Sequence, residues 1–142
     1  MLTFARCHPE HIALIAPQAV QSSDALALQA PEAAELIRAS ISLSAWFDYR
    51  CIAAAGIIDM WRGRATAWAL FAPSAAQHMR AITRKVRFVL DRYPARRIEM
   101  TVVTEHEKGH RWAQMLGFER EALMKAYLPE GRDVVQYVRL NA

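Results

Sequence analysis

The stretch GHRWAQMLGFERE, residues 109–121, decides the fold of this sequence. It holds the end of a helix that begins near Thr104, where Thr104-Glu105-His106-Glu107 has the pattern of a capping box. Gly117 ends the helix, because a residue without a side chain readily adopts the left-handed conformation that closes a helix. We expect Phe118 to fold back onto the core.

Strands lie on both sides of this helix. Residues 98–103 alternate in pattern, with Ile98, Met100 and Val102 on one face. Residues 122–128 and 134–140 predict a hairpin around the turn at 129–132, PEGR. The last third of the chain is therefore predicted as strand, helix and two strands.

The first two thirds of the chain predict a further helix-flanked sheet. A capping box at Ser74-Ala75-Ala76-Gln77 begins a helix that runs to Arg92 and is stopped by Tyr93-Pro94. Pro31 suits the first position of a short helix, and residues 17–30 carry only a weak pattern. The predicted strands are residues 2–6, 41–47, 50–60 and 65–71, and the predicted early helices are residues 8–16 and 31–39. The fourth strand is expected to be buried on both faces. The order predicts an α/β fold (an α+β mixed sheet) of about seven strands with flanking helices.

The composition is that of one globular domain, residues 1–142. No apolar run approaches the ~20 residues that cross a bilayer, and the start lacks the layout of a secretory signal, which predicts a cytoplasmic protein without membrane contact. Cys7 and Cys51 form neither a disulfide framework nor a metal-ligand pattern, so we expect free thiols and no metal. The net charge of +4 favours anionic ligands without selecting one class.

The helix-and-cap stretch at 109–121 and the segment YLPEGRDVVQY at 127–137 resemble the GCN5-related N-acetyltransferase (GNAT) superfamily. The first is similar to the helix that flanks the thioester of acetyl-CoA, followed by the family's GF-x-x-E entry into a strand. The second is similar to the terminal hairpin of the ribosomal-protein-type members. The triplet Leu116-Gly117-Phe118 is a weak signal alone and gains specificity from its strand–helix–strand context.

The resemblance implies an acyl-CoA N-acyltransferase-like fold whose sheet splays between the fourth and fifth strands to hold acetyl-CoA. It implies transfer of the acetyl group to a primary amine by direct attack. The fourth strand would pair with the pantetheine arm, and the next turn would hold the pyrophosphate at a helix N-terminus. The implied cofactor-binding residues are Leu70, Phe71, Ala72, Ala75, Ala76, Gln77, His78, Met79, Arg80 and Trp112.

The turn after the fourth strand departs from the family pattern. Members of the family usually have Arg or Gln followed by G-x-G or G-x-A at this turn, whereas no glycine occurs here between Gly63 and Gly109. Side-chain Cβ atoms would crowd a pyrophosphate. The block at residues 67–73 and the basic helix after it are also similar to acetyltransferase-like proteins of tailed phages. A non-catalytic protein of the same fold, such as a phage virion or partner-binding protein with a degenerate CoA site, is therefore the alternative.

Direct attack requires a base, because only the neutral amine is nucleophilic. The candidate bases are Glu99 and His106, with Asp59 and Glu105 as further carboxylates near the splay. Tyr127 is a candidate for orienting the substrate, and each of these residues has a structural interpretation as well. Glu99 can cover the sheet, His106 can be a surface residue, and Tyr127 can pack in the hairpin. Alignment on Leu116-Gly117-Phe118 puts His106 where many members have Asn and Ala113 where many have a Tyr that protonates the leaving thiolate.

Other partners are constrained less strongly. Arg80, Arg84 and Arg87 form a basic stripe, for which a solvated helix face is the leading interpretation, a contact with the cofactor's 3′-phosphate the second and nucleic acid the third. No recognition helix or aromatic platform accompanies the stripe, which speaks against nucleic acid. The acceptor is predicted to be a small-molecule or protein amine. A homodimer through an exposed strand or the surface around Trp61 is also predicted.

Overall fold

A computed structural model describes residues 1–141, which form one seven-stranded mixed sheet flanked by helices. The strands are β1 Thr3–Arg6, β2 Ile41–Phe47, β3 Arg50–Trp61, β4 Arg64–Phe71, β5 Arg97–Val103, β6 Glu119–Met124 and β7 Val134–Leu140. The helices are α1 Pro9–Leu14, α2 Ser22–Leu28, α3 Pro31–Ala39, α4 Met79–Arg92 and α5 Glu107–Met115, and short 3₁₀ helices span Ala19–Gln21 and Pro73–His78. The strand order is β1-β2-β3-β4-β5-β7-β6, and every neighbouring pair is antiparallel except β4 and β5.

Apolar side chains cover both faces of the sheet. One buried cluster joins the sheet to α1, α2 and α3 and includes Ile12, Ile37 and Leu70. The second joins it to α4 and α5 and includes Ile82 and Trp112. The sheet is therefore the middle layer of three, which explains why β3 and β4 carry apolar residues at successive positions.

The hairpin between β2 and β3 turns over two residues, Asp48 and Tyr49. Asp48 and Tyr49 both have positive φ, 52° and 63°. This geometry matches the right-handed twist of the flanking strands. The turn predicted at these two residues is confirmed.

β4 and β5 are paired over a short length only. Three residue pairs join them, Arg64 with Arg97, Ala65 with Ile98, and Thr66 with Glu99. Beyond these pairs β4 continues beside β3 as far as Phe71, and β5 continues beside β7 as far as Val103. The sheet therefore opens between β4 and β5 toward their carboxyl ends.

The predicted class and order of elements are confirmed, and four details are wrong. α4 begins at Met79, since Pro73 already starts a 3₁₀ helix and Ser74 is not a capping residue. α5 begins at Glu107 without a side-chain cap, because the Thr104 hydroxyl bonds Glu105 instead. β6 pairs with β7 directly after Phe118, so it spans Glu119–Met124 rather than 122–128. The middle of β4 is half-buried, because it borders the opening in the sheet.

Helix α5 ends as expected. Gly117 has a φ of +90°, and the buried Phe118 amide donates to the carbonyl of Ala113. This positive φ closes the helix and turns Phe118 into the core.

Candidate functional site

A cavity of about 360 Å³ fills the opening between β4 and β5. It is large enough for part of an extended ligand. Its walls come from β4, β5, the 3₁₀ helix after β4, the start of α5, and the segment that carries α2. The lining residues are Gln18, Gln21, Asp24, Ala27, Leu28, Ala67, Trp68, Ala69, Phe71, Ala72, Pro73, Ala75, Ala76, Met79, Met100, Thr101, Val102, Val103, His106, Lys108, Gly109 and Trp112.

An aromatic pair forms part of the apolar wall. Phe71 and Trp112 pack edge to face, with ring centroids 5.0 Å apart and planes at 88°. The Trp112 indole Nε1 donates a 2.8 Å hydrogen bond to the Thr83 hydroxyl, so its polar atom is satisfied inside the core. The wall is fixed by packing and by one buried hydrogen bond.

His106 stands at the start of α5 and faces the cavity. Burial lowers the pKa of His106, and the neighbouring His110 and Lys108 lower it further. The imidazole is therefore neutral near pH 7. Gly109 leaves the space that the ring fills, since a Cβ there would lie 2.6 Å from His106 Nδ1 and 2.8 Å from Val102 Cγ1.

Two glutamines bridge the cavity from the opposite side. The Gln21 side chain, 5% exposed, donates from Nε2 to the Ala69 carbonyl at 2.9 Å and accepts from the Phe71 amide at 3.0 Å. The Gln18 side chain donates from Nε2 to Gln21 Oε1 at 2.9 Å and lies 3.3 Å from His106 Nε2. The Gln18 backbone amide donates to the Phe71 carbonyl at 3.0 Å. The edge of β4 that β5 leaves free is thus paired with these two residues.

The ten predicted cofactor-binding residues fall into two groups. Six line the cavity: Phe71, Ala72, Ala75, Ala76, Met79 and Trp112. Leu70 is fully buried on the other face of the sheet, and the His78 ring packs 4.3 Å from that of Phe47. Gln77 and Arg80 are exposed outside the lining. Six of the ten predicted residues therefore share one cavity, and the other four lie outside its lining.

Glu99, predicted as a base, lies opposite Thr66 in the last β4–β5 pair before the strands separate, and it is outside the cavity lining. It accepts hydrogen bonds from Arg64, at 2.6 Å, and from Arg97, which also binds Glu121. The hydrogen bond from Arg64, helped by that from Arg97, holds the pKa of Glu99 below its ordinary value. Its carboxylate is therefore a stable anion that joins the two strands.

Tyr127, the third predicted catalytic residue, is 55% exposed in the loop between β6 and β7. Its backbone amide donates to the Arg132 carbonyl at 3.1 Å, and its side chain is outside the cavity lining. Of the three predicted catalytic residues, the structure brings only His106 to the cavity.

Several lining residues were absent from the sequence-based candidates. Gln18 and Gln21 are three positions apart, a spacing that puts both amides on one side of a helical turn. Asp24 follows on the same segment, and burial raises the pKa of its carboxyl group. Residues 17–30 have no clear periodic pattern, so the sequence does not indicate which of their side chains face the site. The i, i+3 spacing of the two glutamines is the one feature that could have indicated it.

Two features of the described residues, 1–141, concern metal binding and membranes. No three His, Cys, Asp or Glu side chains in this part of the chain are placed to hold a metal ion together. None of the helices within the same residues has the length and apolar character needed to cross a membrane.

The architecture is similar to that of solved acetyltransferases. An IAA acetyltransferase from Bacillus cereus superposes with a TM-score of 0.70 at 12% identity, covering 99% of this chain and 100% of the other. A ribosomal-protein-alanine N-acetyltransferase from Escherichia coli gives 0.69 at 14% identity, with 99% and 94% covered. A GNAT-family acetyltransferase from Streptococcus pneumoniae gives 0.65 at 14% identity, with both chains covered completely.

The sequence matches no protein-family model and no curated protein sequence. At the low identities of the structural matches, the likeness establishes the fold.

Proposed function

We propose that this chain, which has the fold of the GNAT superfamily, transfers an acetyl group from acetyl-CoA to a primary amine by direct attack. The observation that carries the proposal is the opening of the sheet between β4 and β5, which places strand-edge backbone, an apolar wall and a neutral histidine around one cavity. Fold alone does not decide function, so these features of the site are what support it.

The residues around the opening fit an extended cofactor. Ala69 and Phe71 direct a carbonyl and an amide away from β3, on the edge of β4 that β5 does not cover and that Gln21 occupies, which suits a chain that carries amides of its own. The small side chain of Ala76 is exposed at the turn, just before the fourteen-residue helix α4, whose N-terminal dipole favours an anion. Phe71, Ala72, Ala75, Ala76, Met79 and Trp112 would hold the cofactor.

His106 would act on the acceptor. When bound, acetyl-CoA supplies an activated acetyl group, and the amine must lose a proton before it can attack. The His106 imidazole is neutral and has Nε2 directed toward Gln18 across the cavity. Once this nitrogen is free, it can take the proton from the acceptor ammonium. The acceptor itself is proposed only as a small-molecule or protein amine.

Calorimetric titration with acetyl-CoA tests the cofactor site. Ala76→Glu places a carboxylate beside the expected pyrophosphate and should weaken binding about tenfold or more by like-charge repulsion. Ala39→Glu, the same change at an exposed position of α3, should bind like the wild type. No binding at millimolar acetyl-CoA by the wild type and by a Gln21→Ala variant alike, or equal binding by the Ala76→Glu and Ala39→Glu variants, would count against the proposed site. Thiol release in the presence of an amine panel then tests transfer.

A non-catalytic protein of the same fold is the second candidate, and one observation favours it. The strand edge that a cofactor would use is occupied by Gln21 and Gln18, and the turn after β4 contains no glycine. Such internal hydrogen bonds are expected where a former cofactor site now serves only to stabilise the fold. Such a protein would bind no acetyl-CoA even after these glutamines are replaced, which separates the two candidates.

A further inference from the structure

The Gln21 side chain pairs with β4 in the way a neighbouring strand would. Its carboxamide both donates to the Ala69 carbonyl and accepts from the Phe71 amide, so it reproduces the two hydrogen bonds that one residue of a parallel neighbouring strand would make. These are also the backbone groups that an extended, amide-bearing ligand needs. Gln21 and such a ligand therefore compete for one edge.

Gln18 closes the same site at two further points. Its backbone amide donates a hydrogen bond to the Phe71 carbonyl, and its side-chain Nε2 lies 3.3 Å from His106 Nε2. Gln18 also donates to Gln21 Oε1, which couples the two side chains. Movement of this one short segment would free the strand edge and the histidine together.

The segment that carries these glutamines is weakly anchored by apolar contacts. Within α2 only Ala25 is fully buried, and Leu26 is 74% exposed. Seven residues are too few for a helix that is stable by itself. Leu28 packs, partly buried, against the apolar cluster. Two polar ties lead to the β6–β7 loop: the Ser23 hydroxyl donates to Glu130 at 2.8 Å, and Arg132 donates to the Val20 carbonyl at 3.3 Å. Segments with few buried apolar contacts open at low free-energy cost.

We propose that residues 18–28 form an autoinhibitory gate, in which Gln21 occupies the β4 edge as an internal mimic of the ligand and must be displaced before acetyl-CoA binds. This inference rests on the proposed function, because it assigns regulation to that same site. The wild-type protein binds its ligand only by breaking the bonds of Gln21 to Ala69 and Phe71.

Titration of wild type, Gln21→Ala and Gln29→Ala with acetyl-CoA tests the gate. Two neutral hydrogen bonds oppose binding in the wild type, so Gln21→Ala should bind about tenfold tighter. Gln29→Ala makes the same change at an exposed position directly after the segment and should match the wild type. Gln21→Leu, which keeps most of the side-chain volume, replaces Gln21→Ala if that variant is unfolded by circular dichroism.

A second measurement uses the unmodified protein. Hydrogen exchange of the Gln18 and Gln21 region should become faster when acetyl-CoA is bound, because the Gln18 amide loses the Phe71 carbonyl.

The outcomes separate the two proposals. Tighter binding by the variant, or binding by the variant alone, supports the gate. Equal or weaker binding by the variant, or slower exchange on binding, overturns the gate and leaves the proposed function standing. No binding by any protein at millimolar acetyl-CoA overturns the proposed function and removes the ligand against which the gate would act.

Discussion

Trp112 and Thr83 are joined by a 2.8 Å hydrogen bond from the indole Nε1 to the hydroxyl Oγ1, and both side chains are buried. The bond links α5 to α4 behind the cavity, so it holds the apolar wall against the sheet. A buried indole N–H without a partner is costly, because it has lost its water as well.

Thr83→Val should therefore destabilise the fold by about 1–3 kcal/mol, although it removes only a polar atom. Thr83→Ser keeps the hydroxyl acceptor and removes only a methyl group, so it should lower the free energy of unfolding by about 1 kcal/mol or less. Urea unfolding followed by tryptophan fluorescence measures both variants. A valine variant as stable as the serine variant would show that the hydrogen bond contributes little.

Glu99→Gln should lower the free energy of unfolding at pH 7 by about 2 kcal/mol, because a hydrogen-bonded carboxylate between two arginines is lost. The pKa of Glu99 is held below its ordinary value of 4.5 by Arg64 and Arg97, so its contribution is present above pH 4.5 and is lost as the pH falls through the folded-state pKa. The stability difference between wild type and variant should shrink below about pH 4.5. Glu119→Gln, at an exposed position, is the matched control.

Activity distinguishes the two interpretations of Glu99. Turnover per folded molecule should survive Glu99→Gln if the residue only joins the strands. Loss of turnover with an intact fold would restore it as a catalytic candidate.

His106 should titrate below its ordinary pKa of 6.5, because burial and the nearby His110 and Lys108 disfavour its charged form. The unfolded chain then takes up the proton first, so stability falls as the pH drops below 6.5. His106→Asn should remove this part of the pH dependence. Nuclear magnetic resonance titration of the His106 ring measures the pKa directly, and a value at or above 6.5 would contradict the expectation.

Gly109→Ala should destabilise the protein by about 1–3 kcal/mol, the opposite of what helix propensity alone predicts for an interior glycine. The added Cβ would meet His106 Nδ1 at 2.6 Å and Val102 Cγ1 at 2.8 Å. Thermal unfolding measures the loss. Adding His106→Ala in the same chain should recover part of it, since one of the two colliding groups is gone; no recovery would place the strain elsewhere.

Local patterns in the sequence predicted most of the fold. Pro31, Gly117 and the apolar alternation of β5 act through neighbouring residues, so helix ends and strand identities could be derived from the chain itself. The errors at the starts of α4 and α5 have one cause, because a nearby hydroxyl was expected to cap each helix and does not do so. Pro73 starts helical turns before Ser74, and Thr104 bonds Glu105 rather than the helix.

The site was less predictable because its contacts are long-range. Gln21 meets β4 about fifty residues away in sequence, and Gln18 meets His106 across 88 positions. The partners of Glu99 depend on the register of β4 against β5, which no local pattern encodes. Tyr127 lies in a loop because β6 begins early and ends at Met124.

Three residue pairs join β4 to β5, and on either side of this seam lies an antiparallel ribbon, β1 to β4 on one side and β5 to β7 on the other. Each ribbon keeps its own ladder of hydrogen bonds, so the seam acts as a mechanical hinge at the closed end of the cavity. The angle between the ribbons can widen without the loss of any antiparallel pair. Within the sheet, the three backbone pairs and the Arg64–Glu99 ion pair are what hold the two ribbons at a fixed angle, and α4 lies in the stretch of chain that connects them.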